Sequence, residues 1–264
     1  MGCAKQSQNS DTIADSKIET IKEWTQMAKD SAHLSLENRK EFLKNAKNET
    51  FALANDTIIL EQLLNISLVH KSIGDSLGFR DTNRQTMIMS QETNMYSPLG
   101  YSHWDLASFF KSYGALDSAF YHYKKALNSF EKLSKDASND ITRARILYSM
   151  GQIQDSYKDY LGAEISITSA LRIFDEFQDN KRIYNCYNLL GIISSGMGDS
   201  EKSLEYFEKA STYLNKIQSQ DVIESVWQNH NNIASELLRK KDYNLARVSF
   251  EELLRNKSLK KKNE

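Results

Sequence analysis

Turn-forming residues are scarce in this chain, which has ten Gly and one Pro in 264 residues. That is roughly a third of average usage. A β sandwich or a Gly-looped nucleotide fold would be starved of its turn residues at this level, so the composition favours helices. Cysteine is equally thin: Cys3 and Cys186 lie far apart with no CxxC, which excludes a disulfide framework and a zinc ribbon. No apolar run approaches the ~18 residues of a membrane span, and no charged-then-apolar leader precedes the first polar segment. As written, the chain reads as soluble. Charge of one sign is missing too, with 34 basic against 35 acidic residues. Nothing therefore draws it globally to nucleic acid, and none is expected as a partner.

Motifs that would hold a cofactor are absent. There is no P-loop, no GxGxxG and no HExxH, and His33, His70, His103, His122 and His230 contain no i, i+4 pair. No cofactor and no metal site is expected, and each His reads as a helix-surface or packing residue.

What the chain does have is a period. Residues 1–15 are polar and aperiodic and read as a disordered lead-in. From Ser16 onward the apolar spacing is helical, and a small residue, a turn, an Ala, an aromatic and a second Ala recur at fixed offsets. Over 100–133 the series is Trp104, Leu106, Ala107, Phe110, Gly114, Ala119, Tyr123 and Ala126. The next unit, 144–174, gives Leu147, Met150, Gly151, Ala163, Ile167 and Ala170. Over 184–214 it gives Leu190, Gly191, Gly198, Phe207 and Ala210, with Ser203 in an Ala place. Over 227–254 it gives Ile233, Ala234, Ala246 and Phe250, with Leu253 in the last place. Leu63, Ser67, Gly74 and Asp75 match the first half of an earlier unit, and Phe42, Leu43 and Ala46 the second half of one before that. The small residues at 67, 107, 151, 191 and 234 are separated by 40, 44, 40 and 43 positions. Ser97-Pro98 reads as an N-cap with Pro at the first helical position. Asp221 and Glu224 read as a capping box opening the last pair, and 134–140, 175–181 and 215–221 read as surface turns.

These residues resemble the tetratricopeptide repeat, a helix-turn-helix unit of ~34 residues. Helices longer by a turn or two, or longer connections, would stretch it to the spacing found here. The long period is similar to that of bacterial peptide receptors of the Rap type, and of the input domains of tetratricopeptide-containing sensor kinases and regulators. The resemblance implies an all-α, right-handed superhelical solenoid of stacked antiparallel helix pairs over 16–254, followed by a basic tail at 255–264. In such a solenoid the first (A) helices line a concave groove. The ligand-facing positions it implies are Tyr101, Trp104, Ser108 and Lys111, then Arg145, Tyr148, Gln152 and Asp155, then Asn185, Asn188, Ile192 and Ser195, then Gln228, Asn231 and Ser235. Asn188 and Asn231 share an offset, and two carboxamides in register suit the backbone of an extended peptide; a solvated polar face is the bland alternative. Tyr101 and Trp104 fit either a ligand platform or packing between helices. Lys111 alone does not make the Lys and Asn set of the carboxylate-clamp domains.

The leading expectation is a non-enzymatic scaffold that binds a peptide or protein segment in signalling or regulation. A second reading is the extracytoplasmic ligand-sensing input domain of a larger or lipid-anchored sensor kinase or regulator. Met1-Gly2-Cys3 supports it as the end of a bacterial lipobox that would lipidate Cys3, although Met-Gly-Cys also suits dual acylation or an ordinary start. Localisation accordingly divides between the cytoplasm and an extracytoplasmic membrane anchor, with contact to a membrane only through that lipid. The enzyme class survives as a remote third, since Gly74-Asp75-Ser76-Leu77 matches the block of GDSL esterases. The Asp-x-x-His that family places downstream is found here only upstream, at Asp30–His33, and Gly198-Asp199-Ser200 repeats the tripeptide at a corresponding turn. At the C-terminal end the apolar face of Phe250, Leu253 and Leu254 predicts a truncated larger protein, a homo-oligomer or a covering partner. Lys257, Lys260, Lys261 and Lys262 read as a solvated basic tail.

Overall fold

The computed structural model describes the backbone of residues 3–214, 216–217 and 222–260, and the side chains of those between 14 and 251. Among the described residues there are twelve helices and no strand. They are α1 (Cys3–Asp30), α2 (Leu36–Phe51), α3 (Asp56–Ser72), α4 (Ser76–Glu92), α5 (Tyr96–Ser112), α6 (Leu116–Phe130), α7 (Ala137–Ser156), α8 (Tyr160–Glu176), α9 (Asn180–Gly196), α10 (Ser200–Leu214), α11 (Val222–Arg239) and α12 (Tyr243–Lys260). No described helix is long and apolar enough to cross a membrane. The chain forms two compact units, Met1–Leu133 and Ser134–Glu264, where the sequence suggested one continuous solenoid. Each unit holds three helix pairs: α1–α2, α3–α4 and α5–α6 in the first, α7–α8, α9–α10 and α11–α12 in the second.

The tight turns set the period. Gly74, Asn94 and Gly114 in the first unit, and Lys158, Gln178 and Gly198 in the second, all have positive φ and follow one another at intervals of twenty residues. Each interval is one helix and one three-residue turn. A left-handed residue after a helix turns the chain while its neighbours satisfy the last carbonyls. At Gly74, for example, its own N–H reaches the Lys71 carbonyl at 3.2 Å and the next N–H, of Asp75, reaches that of His70 at 2.9 Å. Gly takes this conformation without strain, whereas Lys158 and Gln178 adopt it against preference. In four of these turns, and in the α11–α12 turn where Lys241 has the same positive φ, an Asp follows at once and caps the next helix. Asp75, Asp159, Asp179, Asp199 and Asp242 accept from the backbone N–H of Gly78, Gly162, Arg182, Lys202 and Leu245 at 3.0 to 3.3 Å. The two Gly-Asp-Ser tripeptides are thus the same cap. The wider spacings of 44 and 43 arise where α6 gives way to α7 and α10 to α11, across longer connections than three residues.

The repeat residues lie where two helices of a pair touch. Ser67, Ala107 and Ala234 are fully buried on the A helices, as are Ala119, Ala126, Ala163, Ala170, Ala210 and Ala246 on their partners. A Cβ on Gly151 would come within 2.5 Å of the Ile167 side chain, and one on Gly191 within 2.4 Å of the Phe207 ring. Ser203 stands in for Ala by donating its hydroxyl to the Gly191 carbonyl at 2.8 Å.

Two expectations need correction. The polar segment before Ser16 is not a separate lead-in: its backbone from Cys3 belongs to α1, since no Gly or Pro interrupts 3–30 and its Ala, Lys and Gln favour helix. Ser97 and Pro98 do not begin α5. Met95 is its N-cap and Tyr96 its first residue, which leaves Pro98 in the first turn, where its missing N–H has no intrahelical carbonyl to lose. α4, for which the repeat gave no signal, completes the pair begun by α3. The side chains of Cys3, Leu253, Leu254, Lys257 and Lys260, and the whole of Asp221, Lys261 and Lys262, lie outside the described residues.

Candidate functional site

The expected ligand-facing positions fall on α5 in the first unit and on α7, α9 and α11 in the second. On α5, Tyr101 and Trp104 stack with centroids 6.1 Å apart, and Tyr101 meets the fully buried Phe130 edge-on at 5.1 Å. Their contacts are with the helix pair, which favours packing over an open platform. Ser108 lies 3.4 Å, hydroxyl to hydroxyl, from Tyr123. Desolvation lowers the Lys111 ammonium pKa and, elsewhere on α5, pushes the Asp105 carboxyl up to about 6, against the pull of Lys71.

In the second unit α7 and α11 both touch α9. Tyr148 and Ile192 pack on the cluster built around Ala163, Phe174, Cys186 and Leu190. Burial drives the Tyr148 phenol pKa upward, with a hydrogen bond to Gln152 opposing it, and raises the Asp155 carboxyl as well. Burial also raises the Cys186 thiol, which keeps it protonated and unreactive. Arg145, Gln228, Asn231 and Ser235 are exposed, while Asn185 and Ser195 are half-buried.

The Asn pair differs from the expected one. The Asn188 carbonyl, on a residue 7% exposed, accepts from the Asn232 amide at 2.9 Å, and Asn231 faces solvent. One residue turns a helix face by about 100°. α11 therefore presents 232 rather than 231 to α9, and Asn188 is engaged within the fold. Nearer the ends of α9 and α11 the Ser195 hydroxyl donates to Glu236 at 2.6 Å, and Arg239 donates to the Ser195 carbonyl at 2.7 Å. The periodicity gave no sign of Asn232, Glu236 or Arg239, because each sits one step off the repeated positions.

A further feature of the A helices lies where the repeat is weakest. A cavity of about 690 Å³ opens in the first unit, lined by α1 and α3 alone. Its lining includes the polar and charged Glu23, Gln26, Lys29, Gln62 and Asn65 together with the apolar Leu68 and Val69. Only a register for α1 could have located it, and the polar sequence of that helix carries little.

The residues of the esterase-like block do different work. The Asp75 carboxylate, besides capping α4, lies 2.7 Å from His70 Nδ1, and both residues are buried. Ser76 has the Tyr113 hydroxyl beside it, at 3.4 Å. Among the described residues no group of three or more His, Cys, Asp or Glu is placed to hold a metal.

Residues 184–213, most of α9 and α10 with the turn between them, match the family model of the tetratricopeptide repeat. No curated protein matches the chain by sequence. Solved structures match by fold. BtubC (BKLC) from P. vanneervenii is 16% identical with a TM-score of 0.68, over 94% of this chain and 92% of that one. Aspartyl phosphate phosphatase F from Bacillus subtilis is 18% identical with a TM-score of 0.57, over 83% of this chain and 65% of that one. RapI in its apo form is 11% identical with a TM-score of 0.72, over 93% of this chain and 65% of that one. The chain thus spans just under two thirds of the latter two. At these identities the likeness is one of fold: an all-α, tetratricopeptide-like helical repeat.

Proposed function

We propose that this chain is a non-enzymatic interaction scaffold that binds a peptide or protein segment on the A-helix faces of its units, in signalling or regulation. The observation that carries the reading is the cavity between α1 and α3, which only A helices line. Its size falls in the range of ligand sites, roughly 300–1,000 Å³. Tetratricopeptide-like folds leave this face free because the small residues of each pair are used up in joining A to B. A non-enzymatic reading is also supported at Ser76, since a nucleophilic Ser needs a base in hydrogen-bonding reach, whereas its hydroxyl has a phenol, that of Tyr113 at 3.4 Å, beside it.

Cross-linking mass spectrometry of the chain, affinity-purified with its partner from its own cells, tests the proposal. Cross-links from the partner should concentrate on α1, α3, α5, α7, α9 and α11. Cross-links confined to α4, α6, α8 and α10 would overturn it.

A further inference from the structure

We propose that the cavity between α1 and α3 is a subsite for a short extended peptide segment that carries a basic group and, about three residues away, an acidic one. The inference rests on the A-helix reading above and assigns it a place and a chemistry. Gln62 is the first observation. It is 6% exposed, it lines the cavity, and its carboxamide has no hydrogen-bond partner among the described residues. The amide is not sealed in the core, so it is open to a ligand in the cavity. A peptide group offers what it lacks, one donor and one acceptor on a single planar unit. Asn65, one turn along α3, lines the cavity beside it.

Charge supplies the second observation. Along α1, Glu19 is paired with Lys22 at 3.6 Å and Gln26 is bonded to Asp30. Glu23 and Lys29 also line the cavity, and neither has an ion pair among the described residues. They are six positions apart on one helix, about 9 Å at a rise of ~1.5 Å per residue. An extended chain covers that distance in about three residues at ~3.3 Å each. Lys29, in the last turn of α1, suits a ligand carboxylate, and Glu23 suits an ammonium or guanidinium. A polyanion such as nucleic acid would meet Glu19 and Glu23, and a wholly apolar ligand would seal Gln62 away unpaired.

The test uses the full chain and three pools of fluorescein-labelled nine-residue peptides, random except at the fourth and seventh positions. One pool fixes Lys then Glu, one fixes Glu then Lys, and one fixes Ala at both. Fluorescence anisotropy should show one charged pool binding about tenfold more tightly than the Ala pool, with that advantage lost in Gln62→Leu. The exposed double variant Glu23→Lys with Lys29→Glu should transfer the preference to the other charged pool, and it serves equally if Gln62→Leu does not fold. Equal binding of all three pools, or a preference that the charge swap leaves in place, overturns the subsite. Were the preferred pool instead indifferent to Gln62→Leu and weakened by Gln152→Ala, the subsite would fall while the A-helix reading stood. Partner cross-links confined to α4, α6, α8 and α10 would remove both.

Discussion

The imidazoles of His103 on α5 and His122 on α6 meet nitrogen to nitrogen, Nδ1 to Nδ1, at 2.9 Å, with Phe110 stacked on the His122 ring. Only one of those nitrogens can carry the shared proton. Desolvation lowers both residues, and with the nearby charges of His122 and Lys125 it takes His103 down to about 4. A pKa depressed on folding means that the stability is fully present above the unfolded value of ~6.5 and is lost as pH falls from there toward 4. Thermal melts at pH 7, 6 and 5 should show a falling Tm, with a shallower fall in His103→Leu. An identical slope in the variant would refute the role of the pair.

Asp105 has the opposite sign. Its carboxyl is raised to about 6, so the unfolded chain ionises first, and stability drops as pH rises from ~4 to 6. Asp105→Asn should stabilise the protein above pH 6 by about 1–3 kcal/mol, a figure reduced for its partial exposure. The gain should vanish near pH 4. Urea melts of both proteins at pH 4 and 7 measure the difference, and a pH-independent gain would argue for a packing effect instead.

The register of the helix pairs can be tested at Gly191. Its missing Cβ is the space filled by the Phe207 ring, 2% exposed. Gly191→Ala should destabilise by about 1–3 kcal/mol through overpacking, and Ala163→Leu by a similar amount. Neutral denaturation midpoints in both would mean that the helices are rotated from the positions described.

Asn188 and Asn232 tie α9 to α11. Removing either carboxamide leaves the other without its partner, at about 1–2 kcal/mol. The double variant should cost clearly less than the two singles together. A double-mutant cycle in urea reads the coupling, and strict additivity would show that the bond does not form in solution.

At the α7–α8 turn, Lys158 holds a positive φ that Gly adopts freely. Lys158→Gly should raise stability by about 0.5–1 kcal/mol. Asp159→Ala, which removes the cap on Gly162, should lower it by about 1 kcal/mol. Opposite shifts in Tm from adjacent residues would be the signature, and a loss from Lys158→Gly would contradict the turn.

The helix pairs were legible because close approach demands small side chains, and Ala119, Ala163, Gly151 and Gly191 are written into the sequence as such. α4 was not legible. At the three places that hold Ala119, Tyr123 and Ala126 in α6 it carries Phe79, Asn83 and Thr86, all fully buried, so the large and small residues are exchanged and the pattern search fails. The same physics limits what could be said of the site. Repeat offsets fix which face of an A helix is presented only to within one residue, and one residue separates Asn231 in solvent from Asn232 against Asn188. The cavity of α1 and α3 depends on where two polar helices settle against each other, and no residue spacing encodes that directly.

Twenty-residue intervals between left-handed turns make the single helix, not the pair, the unit of length. An insertion within any such interval would rotate every later side chain of that helix by about 100° per added residue, and so unseat its contacts. The connection at 131–136 carries no such constraint, being already longer than the three-residue turns elsewhere. Engineering therefore has a natural address there: an affinity tag, a fluorophore or a protease site placed between Leu133 and Ser134 should leave the helix pairs as they are and spare the α7 cap, in which Asp136 accepts from the Asn139 N–H at 2.9 Å and the Ser134 carbonyl from its side-chain amide at 3.0 Å.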